Sequence, residues 1–590
     1  MDIEKYIFTY KNENRVPPRN SIVCDHWGFS NGNYSGNGIP EQYIEVGKYD
    51  NSTAGKYTMM IGDADKDASG ADAGILESIS YPTGRESIFH FEPHQYRHDY
   101  EIQALAEGRE KSNSEPYYRT KNAGGLRIAK IEEYDPLTQK KLIKEYKYGK
   151  EKDGIGYVKH QPSMQDYVYE YNVAHVFGNN SSFITKVRMF LPESLREMSY
   201  NGSSTKYDYV TESSISESPN EIALKNGETV YKFKSDNQEL GYVKGTTLNY
   251  NYDSEWATGC LLEKTGYNSD NSLVYHTTYV YGHLNTKSIA MKKVYKKVRI
   301  RFNYSNMTDL AYLGNYSGGA YTLLNYNIQS GWKRLESETT QLYNSDGSYG
   351  VSEEVAYSYE NTAHPYPTRK VTKEDGDNIK TETFVYPQDI KYPNSAEQKL
   401  IGNNQLNSVI EKRVSFYGGK AWTNKTNYKL EHGNPVPEVI SFGIANSEEE
   451  RIKIHNYDIY GNPLYITKDD AEKSVYLWGY KGQYLVAKIE GENYNIVKNK
   501  LGETLINRVT DSIVPSDSDM LQINNLKQNL PNAFITTYTY KPLVGMTSVT
   551  DPRGVTTYYE YDDFGRLKAT YIMENGEKKI LQVYDYHYRE

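Results

Sequence analysis

Three closely spaced aspartates are the first candidates for metal chemistry in this sequence. Asp63, Asp65 and Asp67 occupy alternate positions, as the oxygen ligands do at the start of a calcium-binding loop. However, Ala68 stands where such a loop needs glycine, and Gly74 stands where it needs a bidentate glutamate. We therefore interpret the segment as a solvated loop, with calcium binding as the alternative.

Three histidines recur at intervals of four residues. On a helix, His90, His94 and His98 would stack their imidazoles on one face, which is an arrangement that binds zinc. Pro93 lies inside this span, and Phe91 continues a strand-like pattern, so both residues argue against a helix. We interpret the three as surface or hairpin-end histidines, with zinc binding as the alternative.

The familiar catalytic motifs are missing from the sequence. It contains no Gly-x-Ser-x-Gly elbow, no Walker loop, no dinucleotide-binding Gly-x-Gly-x-x-Gly and no His-Glu-x-x-His. The carboxylates are so numerous that no catalytic pair can be selected, which leaves a glycosidase as a minor alternative. We predict no enzyme activity, no catalytic or metal residues and no cofactor. Cys24 and Cys260 are the only cysteines, so no disulfide framework is expected.

Composition favours a β-structure with an amphipathic interior. Tyrosine supplies 60 of the 590 residues, and this ring suits a sheet face that is half buried and half wet. The net charge is −9, and the 68 basic and 77 acidic residues are interspersed, which argues against a nucleic-acid-binding face. No stretch approaches the roughly 20 apolar residues of a membrane-spanning helix, and residues 1–10 do not read as a signal peptide.

Tight turns between Tyr-rich strands form the building unit of the chain. Near the C-terminus, Asp551-Pro552-Arg553-Gly554 and Tyr561-Asp562-Asp563-Phe564-Gly565-Arg566-Leu567 are predicted turns on either side of one strand. Tyr457-Asp458-Ile459-Tyr460-Gly461 repeats the Tyr-Asp-x-x-Gly core. Tyr540, Tyr561 and Tyr584 lie 21 and 23 positions apart, and a spacing of about 20 residues corresponds to one hairpin per repeat. Looser hairpins are predicted at 74–92, 124–148, 261–281, 332–359 and 368–386.

One segment has helical spacing. Apolar residues recur at helical intervals between 493 and 530, with Ser516 and Asp517 as capping candidates and Pro531 as a stop. We predict two short amphipathic helices that cover a sheet face or edge.

These turns resemble those of the Rhs or YD-repeat family, which includes bacterial Rhs toxins, the shell subunits of insecticidal toxin complexes and the animal teneurins. The match is specific over residues 450–590 and looser over residues 74–390. The resemblance implies an all-β fold, an elongated, spiralling antiparallel β-hairpin repeat sheet that forms part of a YD-repeat shell, with the short two-helix insertion near 493–530. In toxin members the shell encloses a C-terminal effector.

The expected organisation has three parts. Residues 1–75 form an irregular β region with Gly-rich loops, residues 76–450 form divergent hairpin repeats, and residues 451–590 form regular repeats that include the helical insertion. The expected function is a non-enzymatic shell segment of a secreted or surface protein, with an encapsulated effector polypeptide as partner. We also expect the chain to be a fragment without the family's C-terminal core and effector. The alternative is a repeat protein that binds carbohydrate or a cell surface, with a glycan as partner.

Overall fold

A computed structural model describes most of the chain. The described residues are 6–18, 24–31, 42–46, 57–61, 71–81, 84–100, 112–114, 116–136, 138–158, 161–162, 168–176, 182–190, 203–219, 222–234, 259–296, 321–374, 378–419, 421–444, 447–562 and 565–584. They divide into two compact units, which we call the N-terminal unit (residues 5–352) and the C-terminal unit (residues 353–590).

The described part of the N-terminal unit consists almost entirely of strands. They are β1 (Ile7–Lys11), β2 (Gln42–Val46), β3 (Tyr57–Ile61), β4 (Ile75–Ser80), β5 (Glu86–Asp99), β6 (Tyr118–Asp135), β7 (Lys140–Tyr148), β8 (Ile155–Val158), β9 (Val168–Val176), β10 (Ser182–Phe190), β11 (Thr205–Lys206), β12 (Tyr209–Glu217), β13 (Leu224–Phe233), β14 (Leu261–Asn268), β15 (Leu273–Lys296) and β16 (Tyr321–Tyr343). A single-turn 3-10 helix spans Glu13–Arg15.

Antiparallel pairing connects most of these strands. The ladder runs β1–β4–β5–β6–β7 and continues through β12–β13–β14–β15–β16. Strand β8 pairs with β5 in parallel and with β11 in antiparallel fashion. The β2–β3 and β9–β10 pairs form separate hairpins.

The C-terminal unit continues the strand numbering. Its strands are β17 (Tyr349–Ser358), β18 (Arg369–Glu374), β19 (Ile379–Val385), β20 (Glu411–Phe416), β21 (Ala421–Glu431), β22 (Asn434–Ile444), β23 (Ser447–Tyr457), β24 (Pro463–Lys468), β25 (Glu472–Gly479), β26 (Tyr484–Glu490), β27 (Phe534–Lys541), β28 (Gly545–Thr550), β29 (Thr556–Tyr561), β30 (Leu567–Glu574) and β31 (Glu577–Val583). Each pairs antiparallel with the next along the chain. The all-β antiparallel fold class is thus confirmed.

Five short helices interrupt the strands of the C-terminal unit. They are α1 (Ser395–Gly402), α2 (Tyr494–Leu501), α3 (Glu503–Asp511), α4 (Asp517–Asn524) and α5 (Leu526–Asn529), and a 3-10 helix spans Pro387–Asp389. The predicted helical insertion is confirmed, but it consists of four helices, where the sequence predicted two. Gly502, at φ +82°, ends α2 and begins α3, and Asn525 separates α4 from α5.

The main hydrophobic core lies where the helical insertion packs on β25, β26 and β27. The strands contribute residues such as Val475, Val486 and Ile489, all 0% exposed. The helices contribute a second set of buried residues, and Leu530 adds to it directly after α5: Val497, Leu505, Ile506, Val509, Met520, Ile523 and Leu526. Ser516 caps α4 as predicted, because its Oγ accepts a hydrogen bond from Asp519 N at 3.2 Å.

The domain boundaries expected at residues 75 and 450 stay a prediction. Among the helices that the structure describes, none is long and apolar enough to cross a membrane.

Candidate functional site

The calcium hypothesis concerns residues that the structure does not describe. Asp63, Asp65 and Asp67 lie outside the described ranges, so calcium binding stays a prediction for them. Within the described ranges, no group of three or more histidines, cysteines, aspartates or glutamates is arranged to hold a metal ion.

The three histidines lie on one extended strand, β5, and do not converge. Four residues of strand span roughly 13 Å, which is too far for His90, His94 and His98 to share one ion. His90 Nε2 lies 3.0 Å from Glu132 Oε1. His98 is only 2% exposed, and its Nδ1 lies 3.5 Å from the hydroxyl of Tyr96. His98 is therefore not a surface residue, because its ring packs against those of Tyr96 and Tyr100. It does lie near a hairpin end, one residue before the end of β5.

A buried arginine organises the polar cluster next to these histidines. The side chain of Arg127, on β6, is 5% exposed, and its Nε donates to Glu92 Oε1 at 2.8 Å. Its Nη1 donates at 2.6 Å to the carbonyl of Gly154 and to the hydroxyl of Tyr207. The guanidinium also lies over the ring of Tyr148, 4.4 Å from the ring centroid. The arginine therefore joins β6 to β5, to β7 and to two connecting segments.

This environment changes the pKa of the neighbouring groups. Burial, together with the positive charge of Arg127, lowers the pKa of His94 from 6.5 to about 4. His94 Nδ1 lies 3.0 Å from the hydroxyl of Tyr207, whose pKa is raised by burial. His94 is consequently neutral at pH 7. Since its contacts and those of Arg127 Nε and Nη1 are with the protein itself, the cluster acts as a clamp between strands.

Carboxylates surrounded by lysines form a second recurring arrangement. Glu132 on β6 contacts Lys130 at 2.5 Å and Lys141 at 3.1 Å. Burial alone would raise the pKa of Glu132, but hydrogen bonds from both lysines lower it to about 2. In the C-terminal unit, Glu382 on β19 is held in the same way, with Lys412 at 2.8 Å. In these clusters, lysines on the same and on adjacent strands neutralise the charge of the carboxylate.

Several tyrosines pair with each other across strands. Tyr558 stacks on Tyr571 with ring centroids 5.2 Å apart, and Tyr484 stacks on Tyr540 at 4.8 Å. Such pairs stabilise a sheet. Other tyrosines are exposed to solvent, and among the described residues the most exposed are Tyr117 at 72%, Tyr392 at 83% and Tyr417 at 76%.

The repeated turn has one hydrogen-bond pattern wherever it occurs. In the turn after β28, Gly554 N donates to Asp551 O at 2.8 Å, and Asp551 N donates to Val555 O at 2.9 Å. The Asp551 carboxylate accepts from the N–H groups of Arg553 and Val555. Gly554 has φ +91°. Glycine adopts this backbone conformation without steric cost, which explains why a glycine occupies the position. The same two backbone bonds close the turns that begin at Tyr81, Asn268, Asn344, Asp458 and Asp562.

A tyrosine hydroxyl attaches the turns at Asp458 and Asp562 to the preceding strand, and a similar bond is present before a different turn at the end of β7. Tyr561 donates to Met546 O at 2.8 Å, Tyr457 to Pro437 O at 2.5 Å, and Tyr148 to Ile128 O at 2.5 Å. Sequence reasoning identified the tyrosine of the Tyr-Asp motif but missed this bond. The feature of the sequence that could have predicted this bond is the position of the tyrosine immediately before the turn. This position puts the tyrosine ring at the end of its strand.

The comparison with protein families gives a match in the region of the two C-terminal turns. The RHS Repeat family model matches residues 545–578, which include β28 to β30 and both turns between them. No curated protein sequence matches the chain.

Two solved structures share a low overall similarity with the chain. One is the crystal structure of TcdB2-TccC3-Cdc42, with 8% identity over 90% of this chain and 25% of the other, and a TM-score of 0.32. The other is the Tc holotoxin pore of Photorhabdus luminescens, with 10% identity over 93% of this chain and 26% of the other, and a TM-score of 0.32. The chain thus spans about a quarter of the length of each. Residues 545–578 are an RHS repeat, and over this stretch the resemblance to the Rhs/YD-repeat family is confirmed.

Proposed function

We propose that the chain is a non-enzymatic scaffold segment, part of the shell wall of a secreted or cell-surface RHS-repeat protein that encloses an effector polypeptide. The observation that carries this proposal is the RHS repeat at residues 545–578, whose turn geometry recurs in both units. A chain of repeated hairpins builds a wall because each hairpin buries its faces only against its neighbours.

The chemistry of the side chains supports a scaffold. The buried charges Arg127, Glu132 and Glu382 are bonded to neighbouring strands, which stabilises the sheet. The paired tyrosines likewise contribute their rings to cross-strand contacts.

A protease-protection experiment tests the enclosure of an effector. The full-length protein is purified with its polypeptide cargo and treated with trypsin at increasing temperature. We expect the cargo to resist digestion until the scaffold melts, and then to be cleaved within the same few degrees. Cargo that is digested at the same rate with and without the scaffold would contradict the proposal.

Binding of a surface glycan is a second candidate function. It is favoured by the exposed rings of Tyr117, Tyr392 and Tyr417, because flat aromatic faces can stack on sugar rings. A glycan array tests it: binding that weakens at least fivefold in Tyr392→Ala and Tyr417→Ala would support this function. An array without any positive glycan would exclude it.

A further inference from the structure

Two strands of the N-terminal unit separate after a short stretch of pairing. The hairpin of β4 and β5 pairs at only three positions, Ser78 with Ile88, Ile79 with Ser87, and Ser80 with Glu86. Beyond these, residues 75 and 76 of β4 pair with β1, whereas residues 89–93 of β5 pair with β6. We call the space between residues 75–77 and residues 89–93 the fork.

Both sides of the fork are strand edges. Within the part of the chain that the structure describes, no strand pairs with residues 75–77 or 89–93 across the fork. Further along β5, strand β8 takes this role at Gln95 and Tyr96. Pro93 fits such a position, since proline in a sheet is confined to strands with an unpaired side. The fork therefore presents backbone donors and acceptors from both edges, except at Ile75 N, which already donates to Asp72 O at 3.4 Å, and at Pro93, which has no N–H.

The fork has the size of a short strand. It forms a cleft of about 580 Å³, lined by residues of β1, β4, β5 and β6. An extended strand occupies roughly 4.8 Å by 10 Å in cross-section and rises about 3.4 Å per residue, or about 160 Å³ per residue. The cleft thus has room for about four residues of extended peptide. This length lies between the three residues of β4 and the five residues of β5 that border the fork.

The lining of the fork defines the chemistry of its occupant. Ile75, Leu76, Phe89, Phe91 and Leu126 provide apolar contacts. The charged residues of the lining balance one another: Lys11 and Arg15 are basic, whereas Asp72 and Glu77 are acidic. Lys11 Nζ and Asp72 Oδ2 are 3.1 Å apart and neutralise each other. An uncharged occupant with apolar side chains on one face complements this lining.

We propose that the fork binds an extended, uncharged segment of a partner polypeptide by strand addition between β4 and β5. The backbone of the segment hydrogen-bonds to both edges, and its alternate apolar side chains contact Phe89 and Phe91. This site is independent of whether the chain encloses an effector.

Two matched peptides test the proposal. A fluorescently labelled peptide of six alternating valines and threonines is titrated with the full chain, in parallel with the same peptide N-methylated at every residue. We expect the N-methylated peptide to bind at least tenfold more weakly, because it cannot donate to either edge. Equal binding of both peptides would show that the fork is only an apolar cleft and would overturn the proposal, as would an absence of binding by the unmodified peptide.

Hydrogen exchange locates the binding site in the unmutated protein. We expect the unmodified peptide to slow amide exchange at least fivefold in residues 75–77 and 89–92, and not in β25 to β27. Protection elsewhere, or protection at the fork that depends on protein concentration without peptide, would overturn the proposal. The second outcome would indicate pairing with another copy of the chain.

A variant pair tests the side-chain contacts. Phe91→Ala should weaken peptide binding at least fivefold, whereas Phe534→Ala, an exposed phenylalanine at the start of β27, should leave it unchanged. Equal effects of the two substitutions would contradict the assignment of the fork. If Phe91→Ala does not fold by circular dichroism, the exchange measurement on the unmutated protein decides.

Discussion

Among the residues that the structure describes, the two units use similar hairpins but bury very different interiors. The core of the C-terminal unit joins strand residues such as Val475 and Ile489 to helical residues such as Ile523 and Leu526. The core around β5 and β6 in the N-terminal unit has Trp27, Tyr96 and Ala123 as its buried members, and polar clusters around Arg127 and Glu132 lie on the same strands. Tyrosine-rich strands alone therefore supply cross-strand contacts, whereas a large aliphatic core depends on the helical insertion.

This difference follows from the amphipathic character of tyrosine. A tyrosine ring covers a sheet face but keeps its hydroxyl near water or a carbonyl, as Tyr457 and Tyr561 do. The helices instead bring aliphatic side chains that have no polar atom, so they can exclude water completely. We expect the two units to respond differently to core, charge and turn substitutions.

The largest effect is expected in the helix-covered core. Ile523 on α4 is 1% exposed, and Ile523→Ala should lower the free energy of unfolding by about 3 to 4 kcal/mol, because it removes buried methyl groups and leaves a cavity. Leu521→Ala on the same helix is the control, since Leu521 is 59% exposed and should cost under about 1 kcal/mol. Urea unfolding followed by circular dichroism measures both. Equal losses would show that the helices do not form the core.

The next effect is a pH dependence of the N-terminal unit. The pKa of His94 is about 4 in the folded protein, against 6.5 for an unperturbed histidine, so the unfolded chain binds the extra proton between these pH values. Stability contributed by neutral His94 is complete above pH 6.5 and is lost as the pH falls towards 4, by about 2 to 3 kcal/mol. His94→Gln should flatten this slope between about pH 5 and 6.5, as measured by urea unfolding at a series of pH values.

His455 in the C-terminal unit provides the comparison for this slope. Burial, with the charges of Lys453 and Lys429, lowers the pKa of His455 as well, but His455 is more exposed than His94. His455→Gln should therefore flatten the slope less than His94→Gln does. If the unfolding free energy of His94→Gln keeps the original slope, then the Arg127 cluster does not set the charge of this histidine.

A smaller effect is expected from the arginine of the clamp. Arg127→Met keeps the apolar stem of the side chain but leaves Tyr207 and the Gly154 carbonyl without their donor, which should cost about 2 kcal/mol. Arg97→Met removes an exposed guanidinium that lies 3.8 Å from the centroid of the Tyr118 ring and should cost under about 1 kcal/mol. Thermal unfolding distinguishes the two variants. Equal shifts in Tm would contradict the role of Arg127 as a clamp between strands.

The smallest effect is expected at the repeated turn. Gly461 has φ +87°, and no atom lies within 4 Å of the position that a Cβ would take. Gly461→Ala therefore adds only backbone strain, which should lower the free energy of unfolding by about 1 to 2 kcal/mol. Gly402, in α1, has open space too but no positive φ, and Gly402→Ala should be neutral or slightly stabilising. Urea unfolding measures both variants. A destabilisation by Gly402→Ala as large as that by Gly461→Ala would contradict the role assigned to the turn glycine.

Local turn chemistry made much of the fold predictable from the sequence. Asp551 to Gly554 and Asp458 to Gly461 were predicted as turns, and they are turns because the aspartate accepts nearby N–H groups and the glycine adopts positive φ. Ser516 was predicted as a helix cap for the same local reason. Helix α1 was missed, although Asn394 and Glu397 form a capping box that the sequence displays.

Features that depend on distant pairing could not be predicted. The sequence argued against a helix at His90, His94 and His98, but the burial of these residues depends on β6 and on Tyr207, which are remote in the sequence. The fork could not be predicted either. The sequence predicts a hairpin at 74–92, but the separation of β4 from β5 depends on their pairing with β1 and β6. Local patterns carry no information about such partners.

Hydrogen exchange under native conditions tests most directly the central claim that the same hairpin becomes a stable core only where helices cover it. Amides of β25, β26 and β27 should exchange most slowly, with opening free energies near that of global unfolding, whereas amides of β1, β4 and β5 should open at several kcal/mol less. Uniform protection of both sets, or faster exchange in β25 to β27 than in β4 and β5, would contradict the claim.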